Sequence, residues 1–117
     1  MASFELALDA AMDKKARDVV VLDLEGLCSF SDRFLICTGT SVRQTKSISD
    51  GVDEQLRRAG FRPAHIEGYS GGEWILMDYL DFVVHIFTER AREFYDLERL
   101  WRAGKRREVP EPAARQV

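Results

Sequence analysis

The sequence predicts a single α/β domain: one mixed β-sheet flanked by helices. A chain of 117 residues can form one domain with its own core and is short for two. Two β-branched and aliphatic runs, at 19–24 and 33–38, are typical of strands that are buried on both faces. The predicted elements follow the order αββαβββα, in which the second helix suits a crossover within one sheet.

The first half of the chain contains the first helix, the two buried strands and the second helix. Ser3 can cap a helix whose apolar residues recur at helical spacing. The second helix begins at a capping box formed by Ser41 and Gln44, whose side chains satisfy backbone N–H groups of the first turn. Gly60 permits the left-handed conformation that ends a helix, so we expect this helix to stop there.

A β-hairpin dominates the second half of the chain. A short strand at 64–67 leads into the loop GYSGG at 68–72, in which three glycines permit positive φ values and a mobile loop. Strands at 73–78 and 81–87 then form the hairpin, with the turn at 79–80.

A last helix and a tail complete the predicted fold. Thr88 begins a helix whose apolar stripe is Phe94, Leu97 and Trp101. Residues 103–117 have little to bury, so we expect a flexible tail there and a folded domain at 1–102.

The composition excludes several classes of protein. A net charge of -3 and a pI near 5.4 disfavour a protein whose main function is to bind the nucleic acid backbone, so we expect no sequence-specific nucleic acid binding. An acidic protein is more suited to a basic protein as partner. No apolar stretch is long enough to span a bilayer, and the N-terminus does not resemble a signal peptide. We therefore expect a cytoplasmic protein without a membrane partner.

The cysteines and histidines do not form a recognisable metal or catalytic motif. Cys28 and Cys37 are not a CxxC pair, and their apolar contexts predict reduced, unreactive thiols. His65 and His85 lack the spacing of a zinc site, and local packing explains each of them more simply. We expect no metal, no cofactor and no catalytic residue.

The turn Gly39–Ser41 precedes a helix, a position where free backbone N–H groups can bind an anion. It matches neither a P-loop nor a dinucleotide-binding fingerprint. A nucleotidyltransferase would need paired carboxylates on a strand after such a turn, but Asp23 and Glu25 precede it. Asp50 and Asp53 follow it within the helix. The serine of the turn is therefore better explained as a helix cap.

The two faces of the hairpin differ in composition. Strand alternation assigns one face, which we expect to be core, to Ile75, Met77, Phe82, Val84 and Ile86. The other face mixes large apolar groups with charges and comprises Trp74, Leu76, Asp78, Asp81, Val83 and His85. In this register the opposed pairs are Trp74 with His85, Leu76 with Val83, and Asp78 with Asp81. The mixed face either binds a partner, as aromatic anchors among charges do, or is covered by a helix or loop.

Three segments resemble a known family. SDRFLICTGTSVRQ at 31–44, EGYSGGEWILMDYLDFVVHIF at 67–87 and REFYDLERLW at 92–101 are similar to the ribosomal silencing factor family, also called Iojap-like proteins. The likeness extends from the first helix to Trp101. One departure is Leu80 in the hairpin turn, where the family commonly has glycine, which adopts left-handed conformations at lower steric cost.

The resemblance implies a fold related to nucleotidyltransferases without their catalytic motif, and a protein that is not an enzyme. It further implies a translation repressor that binds the large ribosomal subunit through ribosomal protein fourteen and sterically blocks association with the small subunit when nutrients are short. A homodimer of the free protein stays open. On this interpretation the partner-binding residues are Trp74, Leu76, Asp78, Tyr79, Asp81 and His85.

A second class of function stays open at this point. A small nucleotide-binding enzyme of nucleotidyltransferase-like fold would use the turn at 39–41 and the loop at 68–72. The two hypotheses place the functional residues at different positions, one on the hairpin and the other at the start of the second helix.

Overall fold

The computed structural model describes residues 3–29 and 31–110. In chain order the elements are α1 Ser3–Asp13, β1 Arg17–Asp23, β2 Arg33–Gly39, α2 Val42–Arg58, β3 His65–Glu67, β4 Trp74–Asp78, β5 Phe82–Thr88, α3 Glu89–Tyr95, α4 Leu97–Leu100 and β6 Lys105–Glu108. Across these residues, none of the helices has the length and apolar character needed to cross a membrane.

The strands form one mixed sheet in the order β3-β4-β5-β2-β1-β6. β2 and β5 are parallel, and the other neighbouring strands are antiparallel. The predicted α/β domain with a mixed sheet flanked by helices is confirmed. α2 lies between β2 and the later strands, as the crossover prediction required.

Two hydrophobic clusters cover the two faces of the sheet. On the inner face, α1 and α2 pack on a cluster that includes Phe4, Ala7, Ile48, Val52, Leu56, Leu35, Ile75, Met77, Val84 and Ile86. On the outer face, α3 and α4 pack on a smaller cluster that includes Val20, Leu22, Phe34, Ile36, Val83, Phe87, Ala91 and Leu97. The inner face of the sheet is thus the one covered by α1 and α2, and the outer face is the one covered by α3 and α4.

The predicted boundaries of α2 are confirmed. The Ser41 hydroxyl accepts a hydrogen bond from the backbone N–H of Gln44 at 3.1 Å, and the Gln44 side chain accepts one from the backbone N–H of Thr40 at 2.6 Å. After the helix, Gly60 has a φ of +90°, and the N–H of Phe61 bonds back to the carbonyl of Leu56 at 2.8 Å. Both ends therefore satisfy their backbone groups as the capping pattern predicts.

The predicted tail at 103–117 is wrong for residues 105–108, which form β6. This strand pairs antiparallel with β1, Val20 opposite Glu108 and Asp23 opposite Lys105. Its charged side chains are all exposed and gave no hydrophobic signal, yet its backbone pairs with the free side of β1. Charged residues are common on edge strands because they discourage pairing with other chains. Residues 111–117 lie outside the described part of the chain.

The predicted last helix is also divided. α3 ends at Tyr95, Asp96 adopts the left-handed conformation with a φ of 48°, and α4 begins at Leu97. The break at Asp96 separates the two residues of the predicted stripe: Leu97 is buried, whereas Phe94 is 79% exposed. The prediction that Phe94 belongs to the buried stripe is therefore wrong.

Candidate functional site

The hairpin pairs in a register that differs from the predicted one. Asp78 lies opposite Val83, and the turn of the hairpin consists of Leu80 and Asp81. The predicted pair of Trp74 with His85 is wrong, because the observed partners are Phe87 and Leu76, respectively. The register shifts by two positions, so each side chain stays on the face that strand alternation assigned to it.

The inner face of the hairpin is core, as predicted. Ile75, Met77, Val84 and Ile86 have no exposed surface, and Phe82 is almost completely buried. All of them belong to the cluster beneath α1 and α2. This face has no side chain available to a partner.

The outer face of the hairpin is only partly covered. Val83 is buried in the cluster beneath α3 and α4, so a helix does cover the part of this face nearest to β2. Trp74, Leu76 and Asp78 on β4 are partly exposed. The outer face is therefore covered by a helix on the β5 side and open to a partner on the β4 side.

Trp74 lies at the border between the covered and open parts. Its ring stacks on Phe87 with 5.0 Å between centroids and meets the ring of Tyr95 at 4.8 Å. Its indole Nε1–H donates a hydrogen bond to Nδ1 of His85 at 3.1 Å. The indole is thus held on three sides and partly exposed on the remaining surface.

His85 is not on the surface, which corrects the prediction that it contacts a partner. The imidazole is 3% exposed, and the Phe34 ring packs against it edge-on at 4.5 Å. Burial lowers the pKa of His85 to about 3, so the ring is neutral at physiological pH.

Tyr79 is also buried, and its assignment to the binding face is wrong. The ring stacks on Phe82 at 5.1 Å and belongs to the inner cluster. Burial, the largest cause, raises the pKa of the Tyr79 hydroxyl. The turn begins one residue later than predicted, so Tyr79 follows the strand alternation to the inner face.

The hairpin turn presents one apolar and one acidic side chain to solvent. Leu80 is 67% exposed and has a φ of 72°, a conformation that an L-residue with a side chain adopts at a steric cost. Its backbone N–H donates to Oδ1 of Asp78 at 2.8 Å, which fixes the turn. Asp81 is exposed beside it.

Sequence reasoning missed an exposed aromatic pair, Phe94 and Tyr95, of which Tyr95 contacts the ring of Trp74. Tyr95 is 51% exposed, and Phe94 contacts it edge-on at 5.0 Å. The prediction of one continuous helix assigned Phe94 to the core and gave no role to Tyr95. The available signal was Asp96, because Asp tolerates the left-handed conformation that ends α3.

An ion-pair cluster fixes α3 and α4 on the outer face. The guanidinium of Arg92 donates to Glu98 at 2.9 Å, to the hydroxyl of Thr38 at 2.9 Å and to the carbonyl of Asp18 at 2.6 Å. Arg106 of β6 pairs with the same Glu98 carboxylate. Although burial opposes ionisation, the two guanidinium groups hold the pKa of Glu98 below its ordinary value. The cluster therefore connects α3, α4, β1, β2 and β6 and fixes the position of Tyr95.

We name the following set the docking surface: Trp74, Leu76, Asp78, Leu80, Asp81, Phe94 and Tyr95. Its apolar members form a band on the outer face and the hairpin turn. At the turn end of the sheet, three further exposed carboxylates lie near Asp81 and Arg33, namely Asp23, Glu25 and Asp32. The apolar band is therefore bordered by negative charge on this side.

The turn at 39–41 does not meet the requirements of a nucleotidyltransferase site. The N–H of Thr40 and the Ser41 hydroxyl are engaged in the cap of α2. Asp23 pairs with Arg33 at the opposite end of β2, and the strand residues 33 to 39 span about 20 Å. The carboxylates are therefore too distant from the turn to share a metal-bound phosphate with it.

The loop at 68–72 is anchored on α2. The Thr45 hydroxyl donates to the carbonyl of Gly72 at 2.6 Å, and the Tyr69 hydroxyl donates to Asp50 at 2.9 Å. Gly68 and Gly72 have positive φ values, as the glycine content predicts. A side chain at Gly68 would place its Cβ 2.0 Å from the carbonyl oxygen of Trp74, so this glycine permits the close approach of β4.

Cys37 is a buried residue of the inner cluster. Burial raises the pKa of its thiol to about 12, which keeps the thiol protonated and unreactive, as its apolar context predicts.

Comparison with known proteins identifies the family. The family described as ribosomal silencing factor during starvation matches residues 1–117. A Chromobacterium violaceum protein named ribosomal silencing factor RsfS is 39% identical over 101 residues, which cover 86% of this chain and 83% of that protein. A Bacillus subtilis protein of the same name is 38% identical over 97 residues, which cover 83% and 82%, respectively.

The fold agrees with this assignment. A crystal structure of a Chromobacterium violaceum protein superposes with a TM-score of 0.84 at 36% identity and covers 95% of this chain and 93% of that one. The likeness extends over the mixed sheet and its helices and is not confined to one motif. The resemblance indicated by the three sequence segments is confirmed, and the chain belongs to the ribosomal silencing factor family.

Proposed function

We propose that this protein represses translation in the cytoplasm by binding the large ribosomal subunit through ribosomal protein fourteen. Bound there, it sterically blocks association with the small subunit, and it is not an enzyme. Membership of the ribosomal silencing factor family supports a factor that acts on ribosomes.

The observation that carries the proposal is the aromatic band of the docking surface. Trp74, Tyr95 and Phe94 are in ring contact, and their exposure increases from the sheet outward. Protein interfaces are enriched in Trp and Tyr anchors, and contacts around such anchors exclude water. A surface of this kind suits a protein partner.

The charges near the docking surface favour a basic partner. Asp78 and Asp81 lie within it, and the exposed Asp23, Glu25 and Asp32 gather at the same end of the sheet as the hairpin turn. Opposite charge speeds association and selects among partners more than it raises affinity. A ribosomal protein that must also contact RNA has a suitable positive charge.

The enzymatic alternative receives no support from the site geometry. The turn at 39–41 is engaged in the cap of α2, and Asp23 lies about 20 Å away along β2. The steric mechanism requires only a stable complex, so it needs no catalytic group.

A homodimer of the free protein is part of the proposal. Leu80 and Phe94 expose apolar area that a second copy could cover, and the ribosome would then compete with the dimer. Sedimentation velocity over a range of concentrations tests this; a single monomeric species throughout would contradict it.

The proposal is tested with purified ribosomal subunits. The protein should co-sediment with large subunits, not with small subunits, and should reduce the light scattering gained when the two subunits associate. It should also bind isolated ribosomal protein fourteen. Binding to large subunits without any effect on subunit association would contradict the steric mechanism. Binding to large subunits without binding to isolated ribosomal protein fourteen would contradict the choice of that protein as the partner.

A further inference from the structure

The buried imidazole of His85 contacts the exposed part of the outer face through one hydrogen bond. Its Nδ1 accepts the indole Nε1–H of Trp74 at 3.1 Å. His85 lies opposite Leu76 and Trp74 lies opposite Phe87, so the bond crosses diagonally between β4 and β5. It joins a buried residue to a partly exposed residue of the docking surface.

The remaining polar atom of the imidazole has no partner. A neutral ring that accepts at Nδ1 carries its proton on Nε2. Within the described residues, Nε2 is buried and makes no hydrogen bond. A buried donor without an acceptor destabilises a fold, and a phenyl ring at this position would not introduce that penalty. Packing alone therefore does not explain a histidine here.

The hydrogen bond selects one orientation of the indole. Phe87 and Tyr95 contact the ring at 5.0 and 4.8 Å between centroids, and such ring contacts tolerate either of two orientations about χ2. Only one of them directs Nε1 toward β5. The bond to His85 thus determines which edge of the indole lies against the sheet and which edge is presented outward.

We propose that His85 is a positioning residue of the docking surface: it holds Trp74 in one orientation, so that a partner meets a preformed anchor. This inference rests on the proposed function of that surface. Ordering a large side chain before binding lowers the entropy cost of complex formation. The Nε1–H is also already satisfied inside the protein, so Trp74 contributes apolar ring surface and not a hydrogen bond to the partner.

Two substitutions separate the hydrogen bond from the ring. His85→Phe keeps an aromatic ring and removes the acceptor. It removes the unpartnered Nε2–H and frees the partly exposed Nε1–H of Trp74, so stability should change little, whereas binding to large subunits should weaken about three- to tenfold. His85→Asn keeps an acceptor at the δ position and removes most of the ring. It should lose stability through the cavity and retain the affinity of the parent when both are measured well below their unfolding temperatures.

The indole N–H resonances report the hydrogen bond directly. The chain has two tryptophans, so the ¹⁵N–¹H spectrum contains two indole signals, and Trp101→Phe assigns them. The Trp74 signal should shift upfield in His85→Phe and stay near its parental position in His85→Asn. If His85 had only a structural role, the less stable His85→Asn would bind large subunits more weakly than His85→Phe, whatever the position of the Trp74 signal.

Trp74→Ala distinguishes failure of this inference from failure of the docking surface. If Trp74→Ala loses binding while His85→Phe binds as tightly as the parent, the positioning role is wrong and the surface stands. An unshifted Trp74 signal in His85→Phe also overturns the positioning role. If Trp74→Ala itself binds as tightly as the parent, the docking surface is wrong, and the positioning role fails with it.

Discussion

The two faces of the sheet differ in how their side chains are used. The inner face is lined by aliphatic residues without exposed surface, such as Leu35 and Ile86, and two helices cover it. The outer face contains a buried imidazole, an ion-pair cluster and aromatic rings that extend to the surface. The comparison indicates that the inner face provides most of the stability, whereas the outer face combines packing with recognition.

Strand β4 contains both faces in adjacent residues. Ile75 and Met77 point inward and are fully buried, whereas Trp74, Leu76 and Asp78 point outward and are partly exposed. Substitutions one residue apart on the same strand can therefore test the two roles with the same backbone and the same neighbouring strands.

The largest effect is expected from Ile75→Ala. Removing a fully buried side chain should lower the free energy of unfolding by about 2–5 kcal/mol and leave affinity for large subunits unchanged while the protein is folded. Leu76→Ala should lower stability less and weaken binding by about 1 kcal/mol, roughly fivefold. Urea unfolding and co-sedimentation measure the two quantities. Equal binding loss in both variants would contradict the division between the faces.

The second prediction concerns pH. Burial lowers the folded-state pKa of His85 to about 3, below its ordinary value of 6.5, so below pH 6.5 the unfolded chain binds a proton that the folded chain does not. The stability of the parent should therefore fall relative to His85→Phe by up to about 1.4 kcal/mol per pH unit between pH 6.5 and 5. Parallel urea titrations measure this difference. Equal slopes would mean that the imidazole can be protonated in the folded state.

A third, smaller effect is expected at a site away from the docking surface. Ser41→Ala removes the cap of α2 and should cost about 0.5–2 kcal/mol of stability. Binding to large subunits should be unchanged, because Ser41 contributes to a helix end and not to the docking surface. Loss of binding with unchanged stability would restore a direct functional role for the turn at 39–41.

The smallest effect is expected at the hairpin turn. Leu80→Gly relieves a positive φ of 72° and should stabilise the protein by up to about 1 kcal/mol. It also removes an exposed apolar side chain from the docking surface, so binding should weaken by a factor of about two to five. Stability and affinity would then change in opposite directions. An affinity equal to that of the parent would remove Leu80 from the docking surface.

The sequence predicted the elements that hydrophobic spacing and capping determine. The first two strands, both ends of α2 and the inner side of the hairpin are confirmed, because Ser41, Gly60 and Ile75 carry local signals. The prediction also placed Trp74, Leu76 and Asp78 on the outer face, where they are partly exposed. The register error did not change this, because a shift of two positions keeps each side chain on the same face.

The remaining features depend on tertiary contacts that local patterns do not report. β6 consists of Lys105–Glu108, has no apolar pattern and forms because β1 offers an unpaired edge. The break at Asp96 exposes Phe94, and the turn geometry at Leu80 places Tyr79 in the core. His85 is packed against the rings of Phe34, Trp74 and Phe87, and its contacts with β2 and β4 are not visible in the local pattern of β5.

The most direct test of the account is the affinity of Trp74→Ala for large ribosomal subunits, measured beside Ile75→Ala as a control for destabilisation. Trp74 is the partly exposed ring at the sheet end of the aromatic band, and truncation of such an anchor commonly costs about 2 kcal/mol or more, roughly thirtyfold in affinity. We expect folded Trp74→Ala to bind at least that much more weakly and to leave subunit association unhindered, while folded Ile75→Ala binds as the parent does. Parental binding by Trp74→Ala would contradict the assignment of recognition to the outer face.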